Sequence, residues 1–132
     1  MKTLFTTDQS VCKGLEWHEH NGKRYLYLDL KDLNSFEILK SSKHLKKVMK
    51  EQAENSVLFL LDVTDADISM NDNLTLAKMS KNVQDKILRS AFIGVDGYIK
   101  KLFSIYRNIT STKAVLLNNR EEALDYLTNT RD

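Results

Sequence analysis

Residues 56–62 read SVLFLLD, an unbroken apolar run that ends on an aspartate. Such a run is typical of a strand covered by protein on both faces, whereas a half-exposed strand alternates apolar and polar residues. Residues 90–95, SAFIGV, have the same character and are followed by Asp96 and Gly97. The two segments predict neighbouring, buried parallel strands at the centre of a sheet.

An antiparallel hairpin is predicted before this central strand. The dipeptide Asn21-Gly22 favours a type I′ turn, because both central positions of that turn need a positive φ. Residues 15–20 and 23–30 flank it, and the second segment contains YLYLDL, in which the leucines fall on one face. We therefore expect these two segments to pair at one side of the sheet.

Four amphipathic segments predict helices, and residues 113–117 predict a last strand. Residues 34–37, NSFE, and 119–122, NREE, have the form of a capping box, in which the N-cap and the third helical residue bond to each other's backbone. The predicted helices cover residues 34–54, 71–85 and 98–109 and a short segment from residue 119. For the third of them, the inward stripe is predicted to be Tyr98, Leu102, Ile105 and Ile109.

The element order β-β-α-β-α-β-α-β-α places the chain in the α/β class. Strands joined through helices become parallel neighbours, so we expect a mixed, mostly parallel sheet with an N-terminal antiparallel hairpin and four helices. A length of 132 residues suits one domain. We expect that domain over residues 14–132, preceded by a polar arm or edge strand at residues 1–13.

Composition excludes several classes of protein. Twenty basic and eighteen acidic side chains give a net charge of +2, too small a field to indicate nucleic-acid binding. No apolar run approaches the roughly 18–20 residues that a membrane span needs, and no signal peptide is recognisable. The only cysteine is Cys12, so no internal disulfide forms. These features predict a cytoplasmic protein without a transmembrane segment.

Four strings carry a family resemblance: HNGKRYLYLD at residues 20–29, VLFLLDVT at 57–64, SAFIGVDG at 90–97 and EEALDYL at 121–127. In this order and at this spacing they resemble the STAS-type family of sulfate-transporter and anti-sigma-factor-antagonist domains, in particular its SpoIIAA-like bacterial branch. The resemblance extends from about residue 14 to residue 128.

The resemblance implies a sheet of four or five strands with helices alongside. For some members it implies phosphorylation-controlled partner binding, and for the SpoIIAA-like branch a pocket for an apolar or lipid-like ligand. The antagonists carry a phosphoacceptor serine in an Asp-Ser-Ser-Gly-like turn after the central strand. Residues 62–69 read DVTDADIS here and lack that motif, so only Thr64 and Ser69 are hydroxyl residues in the corresponding region.

A rim for a ligand or partner is predicted beyond the carboxyl ends of the strands, where open α/β sheets bind ligands. Its aspartates would also form an acidic pocket for a divalent cation in one interpretation, but turn and helix-cap roles are the favoured one. We therefore predict no metal site. The predicted rim comprises Asp62, Thr64, Asp65, Ser69, Asp96, Gly97 and Tyr98, with Asp67 among the acidic residues.

An apolar groove between the third helix and the sheet is the second predicted site. It comprises Phe92, Leu102, Phe103 and Tyr106, with Tyr98, Met70 and Met79 as further candidates. Tyr98 and Phe103 lie about 140° apart on a helix, so one of them must be exposed or lie at an interface. That exposed face, or an edge strand, would support a homodimer.

No set of residues specifies a reaction. The sequence has neither G-x-S-x-G nor H-E-x-x-H, and His18 and His20 lack a third ligand nearby. The pair Gly94 and Gly97 lacks the spacing of a phosphate-binding loop, so close packing of strand and helix is its expected role. No catalytic residue and no cofactor are predicted.

The predicted function is a non-enzymatic binding or regulatory module. It would bind an apolar or lipid-like small molecule under the third helix, or a protein partner through the rim. The alternative is a phosphorylation-controlled, anti-sigma-antagonist-like switch at Thr64 or Ser69. A small enzyme that uses the acidic rim is the third hypothesis.

Overall fold

A computed structural model describes residues 10–12 and 14–129, which form six strands and four α-helices. A short 3-10 turn, Gln84–Lys86, precedes the fifth strand. In chain order the elements are β1 Ser10–Cys12, β2 Leu15–His20, β3 Lys23–Asp29, α1 Ser35–Lys50, β4 Val57–Asp62, α2 Met70–Lys81, β5 Ile87–Ile93, α3 Gly97–Thr110, β6 Val115–Leu117 and α4 Arg120–Thr128.

The strands form one mixed sheet in the order β1-β2-β3-β4-β5-β6. The pairs β1–β2 and β2–β3 are antiparallel, and every pair from β3 to β6 is parallel. Strands β4 and β5 lie side by side, with Leu61 opposite Phe92. The predicted fold class, with its N-terminal hairpin and four helices, is confirmed.

Strand β1 was not among the five strands predicted. It has three residues and pairs with β2 at the outer border of the sheet. It falls in residues 1–13, for which an arm and an edge strand were both expected. Residues 1–9 and 13 lie outside the described residues, as does the side chain of Cys12.

The sheet is covered on both faces, which explains the apolar run of β4. Residues of α1, α2 and α3 share one hydrophobic cluster with Leu28, Phe59 and Phe92. Ala123 and Leu127 of α4 pack on the opposite face. The order of the strands explains this layering, because successive right-handed crossovers in one direction place their helices on the same face.

Two predicted helix boundaries are wrong. Helix α1 ends at Lys50 rather than near residue 54, and the chain then turns at Asn55, whose φ is +53°. The segment predicted as the end of α2 contains the 3-10 turn, and Ile87 opens β5, where it pairs with Val57. At the end of α2, the apolar spacing continued past the last helical turn into Val83, which is buried, and Ile87, which belongs to β5.

The inward stripe of α3 is also corrected. The helix buries Leu102 and Phe103, and Ile99 and Tyr106 pack against the same core. Tyr98 is 57% exposed and Phe103 is 7% exposed, so the expectation that these two residues cannot both face the core is confirmed. Tyr98 lies in the first turn of α3, and there its side chain reaches solvent.

The capping residues behave largely as expected. Asn34 and Glu37 form the predicted capping box of α1. Asn119 accepts a hydrogen bond from the Glu122 backbone N–H, but the Glu122 carboxylate accepts from the backbone N–H of Asn118 rather than that of Asn119. The α4 cap is therefore only half of a capping box.

Candidate functional site

The loops after β3, β4 and β5 form one connected edge at the carboxyl ends of the strands. The backbone N–H of Leu30 donates to the carbonyl of Asp62 over 2.8 Å, and that of Asp32 donates to the carbonyl of Thr64 over 3.2 Å. The N–H of Val63 donates to the carbonyl of Ile93 over 2.9 Å. The predicted rim residues therefore belong to loops that are hydrogen-bonded to one another.

Asp62 is buried at the end of β4, and its carboxylate is already engaged. Its Oδ1 accepts hydrogen bonds from the Thr64 backbone N–H over 3.0 Å and from the Thr64 hydroxyl over 2.7 Å. Its Oδ2 lies 3.8 Å from Nζ of Lys31. This is turn chemistry, the role favoured for the rim aspartates from the sequence.

Lys31 lies between two carboxylates. Asp29 and Asp62 are opposite each other in the register of β3 and β4, and Nζ of Lys31 is 3.6 Å from Oδ2 of Asp29. Tyr27 first, and then Asp29, raise the pKa of Lys31. Burial is the main reason why the pKa of Tyr27 is raised. The lysine offsets the charge of the two aspartates at this corner.

A cation at the start of α4 covers the tyrosines of β3. Nη2 of Arg120 donates to the hydroxyl of Tyr25 over 2.8 Å, and its guanidinium carbon lies 4.3 Å from the ring centre of Tyr27. His18 stacks on Tyr25 with 5.6 Å between ring centres and lies 2.8 Å from Glu16. His18 thus contacts both its own strand and the neighbouring strand β3.

The aspartates of the rim do not converge as metal ligands. Within residues 10–12 and 14–129, no group of three or more histidine, cysteine or acidic residues could hold a metal ion. Asp65 and Asp67 are exposed, and Asp65 has a φ of +55°. Asp96 is the N-cap residue of α3, although its side chain makes no capping hydrogen bond.

The two candidate phosphoacceptor hydroxyls are both engaged. The Thr64 hydroxyl donates to Asp62, as described above. The Ser69 hydroxyl accepts from the backbone N–H of Asp72 over 3.0 Å and caps α2, and the Asp72 carboxylate accepts from the Ser69 backbone N–H over 3.1 Å. The structure gives Ser69 a capping box that the sequence analysis did not identify.

The same carboxylate joins the first turns of α1 and α2. Oδ2 of the buried Asp72 also accepts a hydrogen bond from the hydroxyl of Ser35. This hydrogen bond is the main reason why the pKa of Asp72 lies below its ordinary value, and the Ser69 backbone and hydroxyl act in the same direction. The N-terminal turns of two helices are thereby fixed relative to each other.

Three large apolar side chains are exposed at this edge. Phe36 is 75% exposed, Met70 is 39% exposed and Tyr98 is 57% exposed. They lie in the first turns of α1, α2 and α3, so they belong to the same border of the sheet. Sequence analysis missed Phe36 as a site residue. The sequence did contain an indication: Phe36 is a large apolar residue of α1 that lies two positions before Ile38 and outside the inward stripe.

An apolar cavity lies between α1, α2, α3 and the sheet, and its volume is about 70 Å³. All four predicted groove residues, Phe92, Leu102, Phe103 and Tyr106, line it. The rings of Phe92 and Phe103 meet edge to face, with 5.5 Å between their centres. Met70 and Tyr98 are exposed instead and do not line the cavity, and neither does Met79.

A few polar groups in the cavity wall are paired. Nδ2 of Asn73 donates to the carbonyl of Leu102 over 2.9 Å. The Ser42 hydroxyl donates to the carbonyl one turn earlier in α1 over 2.8 Å. Burial raises the pKa of Tyr106, and its hydrogen bond with Ser80 opposes that rise. The groups that remain to contact a ligand in this apolar cavity are therefore mainly aliphatic and aromatic.

Solved structures contain a close match to this arrangement of strands and helices. The crystal structure of an uncharacterized protein from the DUF3478 family, from Shewanella loihica PV-4, superposes with a TM-score of 0.63 and is described as having a SpoIIAA-like fold. The match covers 86% of this chain and 91% of that chain at 18% sequence identity. This chain has a SpoIIAA-like fold.

The SpoIIAA-like fold agrees with the resemblance seen in the sequence. Searches with protein-family models and against curated proteins give no match to this chain. Among the helices of residues 14–129, none is long and apolar enough to span a membrane. At 18% identity the likeness establishes the fold, and the function must be argued from the surfaces of this chain.

Proposed function

We propose that this SpoIIAA-like chain is a binding module that docks a basic, amphipathic segment of a protein partner. The observation that carries the proposal is the exposure of Phe36, Met70 and Tyr98 in the first turns of three neighbouring helices. We call this surface the docking edge; it comprises residues 30–37, 63–72 and 94–99. Exposed apolar groups rimmed by polar residues mark interaction sites.

Charge selects the kind of partner. The docking edge contains six acidic residues and one lysine, a net charge of −5 on a chain whose net charge is +2. Such a surface attracts a basic partner and repels an anionic membrane. An amphipathic segment supplies apolar side chains for Phe36 and Tyr98 and cations for the exposed Asp65 and Asp96.

The connected loops favour a preformed site. The backbone hydrogen bonds between the three loops and the Ser35–Asp72 hydrogen bond hold the first turns of the helices in place. A surface that is ordered before binding loses less conformational entropy when the partner arrives. The docking edge therefore has the chemistry and the rigidity of a recognition surface.

Fluorescence anisotropy with a labelled helical peptide of leucines and lysines tests the proposal. We expect saturable binding, and about tenfold weaker binding for Phe36→Ser and for Tyr98→Ser, since buried aromatic anchors dominate interface energies. Leu88→Ser is the matched control, because Leu88 is 45% exposed at the amino end of β5. Equal binding of a scrambled peptide, or no effect of either aromatic substitution, would contradict the proposal.

A second candidate function is the binding of an apolar chain in the apolar cavity. Its volume of about 70 Å³ is roughly half that of an engineered cavity that holds benzene. It therefore takes the end of an apolar chain rather than a whole lipid. The lining of the cavity includes residues of the docking edge, among them Val63, Ile68, Val95 and Ile99. The rest of a bound apolar chain would therefore leave the cavity at the docking edge.

Titration with straight-chain alcohols from ethanol to hexanol, followed by amide NMR, tests the cavity. We expect saturable changes in the amide chemical shifts of Leu102 and Phe103, and tighter binding for the longer alcohols. Ser42→Leu should abolish these changes, because the added carbons occupy the cavity that Ser42 lines. Unchanged shifts in Ser42→Leu would place alcohol binding elsewhere and remove this candidate.

Phosphorylation at Ser69 or Thr64 is the alternative form of regulation. Ser69 is exposed at the N-terminus of α2, where the helix dipole favours a phosphate, whereas the Thr64 hydroxyl already faces a carboxylate. The anisotropy assay should show altered peptide affinity for Ser69→Glu if the switch operates. Unchanged affinity in both Ser69→Glu and Thr64→Glu would reject it.

A further inference from the structure

A second cavity, of about 300 Å³, lies at the opposite border of the sheet from the docking edge. Its lining comes from the first four residues of β5, from the segments before β4, β5 and β6, and from α4. Its volume is at the lower end of the range for small-molecule sites. We call it the polar pocket; the residues that matter here are Gln84, Leu88, Arg89, Ser111, Lys113 and Tyr126.

Two cations line the polar pocket. Arg89 lies on β5, and Lys113 lies just before β6, the strand that pairs with β5. No carboxylate is among the lining residues in the described part of the chain. An anion that lies between these two side chains would accept charge-assisted hydrogen bonds from both.

The rest of the lining is amphipathic. Gln84 and Ser111 supply an amide and a hydroxyl that can donate hydrogen bonds. Leu88 is 45% exposed, and the ring of Tyr126 supplies further apolar surface. A bare inorganic ion would use the cations and leave this apolar wall in water. A ligand with an anionic head and an apolar body would cover both.

We propose that the polar pocket binds a small organic anion. A carboxylate or phosphate-ester group lies between Arg89 and Lys113, and the apolar body of the ligand contacts Leu88 and Tyr126. Because this pocket and the docking edge lie at opposite ends of the strands, the chain has two separate binding surfaces. The proposal does not depend on the docking edge.

Amide NMR titrations with phenyl phosphate and benzoate test the proposal, with inorganic phosphate and benzyl alcohol as partial ligands. We expect saturable shifts at Arg89 and Lys113 with at least one organic anion, and weaker binding of both partial ligands. The stronger of the two anions identifies the head group as phosphate ester or carboxylate. Lys113→Gln should weaken binding about tenfold, since it removes a charge-assisted hydrogen bond.

Two further variants make the test specific. Leu88→Ser should weaken the binding of phenyl phosphate and leave the affinity for inorganic phosphate unchanged. Lys47→Gln, at an exposed lysine of α1, is the matched charge control and should have no effect. Three results would each overturn the proposal: no saturation by either organic anion below about 10 mM, equal affinity for inorganic phosphate, or full affinity in Lys113→Gln.

Discussion

Gly94 lies so close to Thr64 that a Cβ on Gly94 would be 2.6 Å from the backbone nitrogen of Thr64. Gly94 also has a φ of +84°, in the region where residues with side chains are strained. The contact joins the loop after β5 to the loop after β4 and keeps Thr64 beside Asp62. The predicted packing of strand against helix is therefore wrong: Gly94 packs loop against loop, and Gly97 has no atom within 4 Å of an added Cβ.

Gly94→Ala is expected to lower the free energy of unfolding by about 3 kcal/mol, because a methyl group there meets backbone atoms that cannot move independently. Gly97→Ala is the matched control. Gly97 has a φ of +53° but no atom within 4 Å of an added Cβ, so its cost should be about 1 kcal/mol. Urea unfolding measures both, and equal losses would show that the contact with Thr64 has no energetic weight.

Asp72 is expected to make the protein less stable at acid pH. Its pKa is lowered from the ordinary value of 3.8, first by the Ser35 hydrogen bond. A carboxyl whose pKa is lower in the folded state stabilises the fold above the unfolded pKa, and this contribution is lost as the pH falls through the folded pKa. Ser35→Ala should therefore flatten the decline of unfolding free energy below about pH 4.

Urea titrations at several pH values measure this effect. Ser56→Ala is the control, because the exposed Ser56 hydroxyl bonds only to a nearby backbone carbonyl. An identical pH profile for wild type and Ser35→Ala would show that the Ser35 hydrogen bond does not hold the pKa of Asp72 down.

The apolar cavity should respond in opposite directions to filling and emptying. Ser42→Leu is expected to raise the free energy of unfolding by about 1 kcal/mol, since it adds apolar atoms to empty space and removes only a bond to its own helix. Leu102→Ala is expected to lower it by about 3 kcal/mol. A loss of more than about 1 kcal/mol in Ser42→Leu would indicate overpacking and a cavity that the protein does not leave open.

Arg120 should couple energetically to Tyr25. A double-mutant cycle of Arg120→Ala and Tyr25→Phe is expected to give a coupling of about 1 kcal/mol, because each substitution removes the same hydrogen bond. Arg120→Lys should recover little of the loss, since an ammonium cannot both reach the Tyr25 hydroxyl and lie flat over Tyr27. Strictly additive losses would show that the two side chains act independently.

The arrangement of the strands was predictable because burial on both faces leaves a continuous apolar signal. Residues 57–62 and 90–95 carried that signal, and the turn at Asn21-Gly22 fixed the hairpin. For strand β1, the sequence left two alternatives open, an arm or an edge strand. Three residues are too few for a period-two pattern, and pairing with β2 decides their conformation.

The orientation of α3 was only partly predictable. Helical spacing identified Leu102 and excluded the joint burial of Tyr98 and Phe103, but two stripes of similar apolar character were available. The packing of α3 on the rest of the core decides which stripe is buried. Tyr98 lies in the first turn of α3 and is exposed, and no local pattern in the sequence carries that information.

The apolar cavity could be predicted from the sequence, whereas the polar pocket could not. The four groove residues could be predicted as one group, because three lie on helix α3 and one lies on a buried strand. All four line the apolar cavity. The polar pocket was missed, because Arg89, Lys113 and Tyr126 come from three separate segments with no characteristic spacing. Only the tertiary arrangement makes them neighbours.

The order of the strands in the sheet equals their order in the chain. No strand therefore has to enter between two that have already paired, because each strand pairs with the one synthesised just before it. The sheet can therefore be assembled strand by strand from the amino terminus during synthesis. At each stage, the strand made last forms the edge to which the next strand is added.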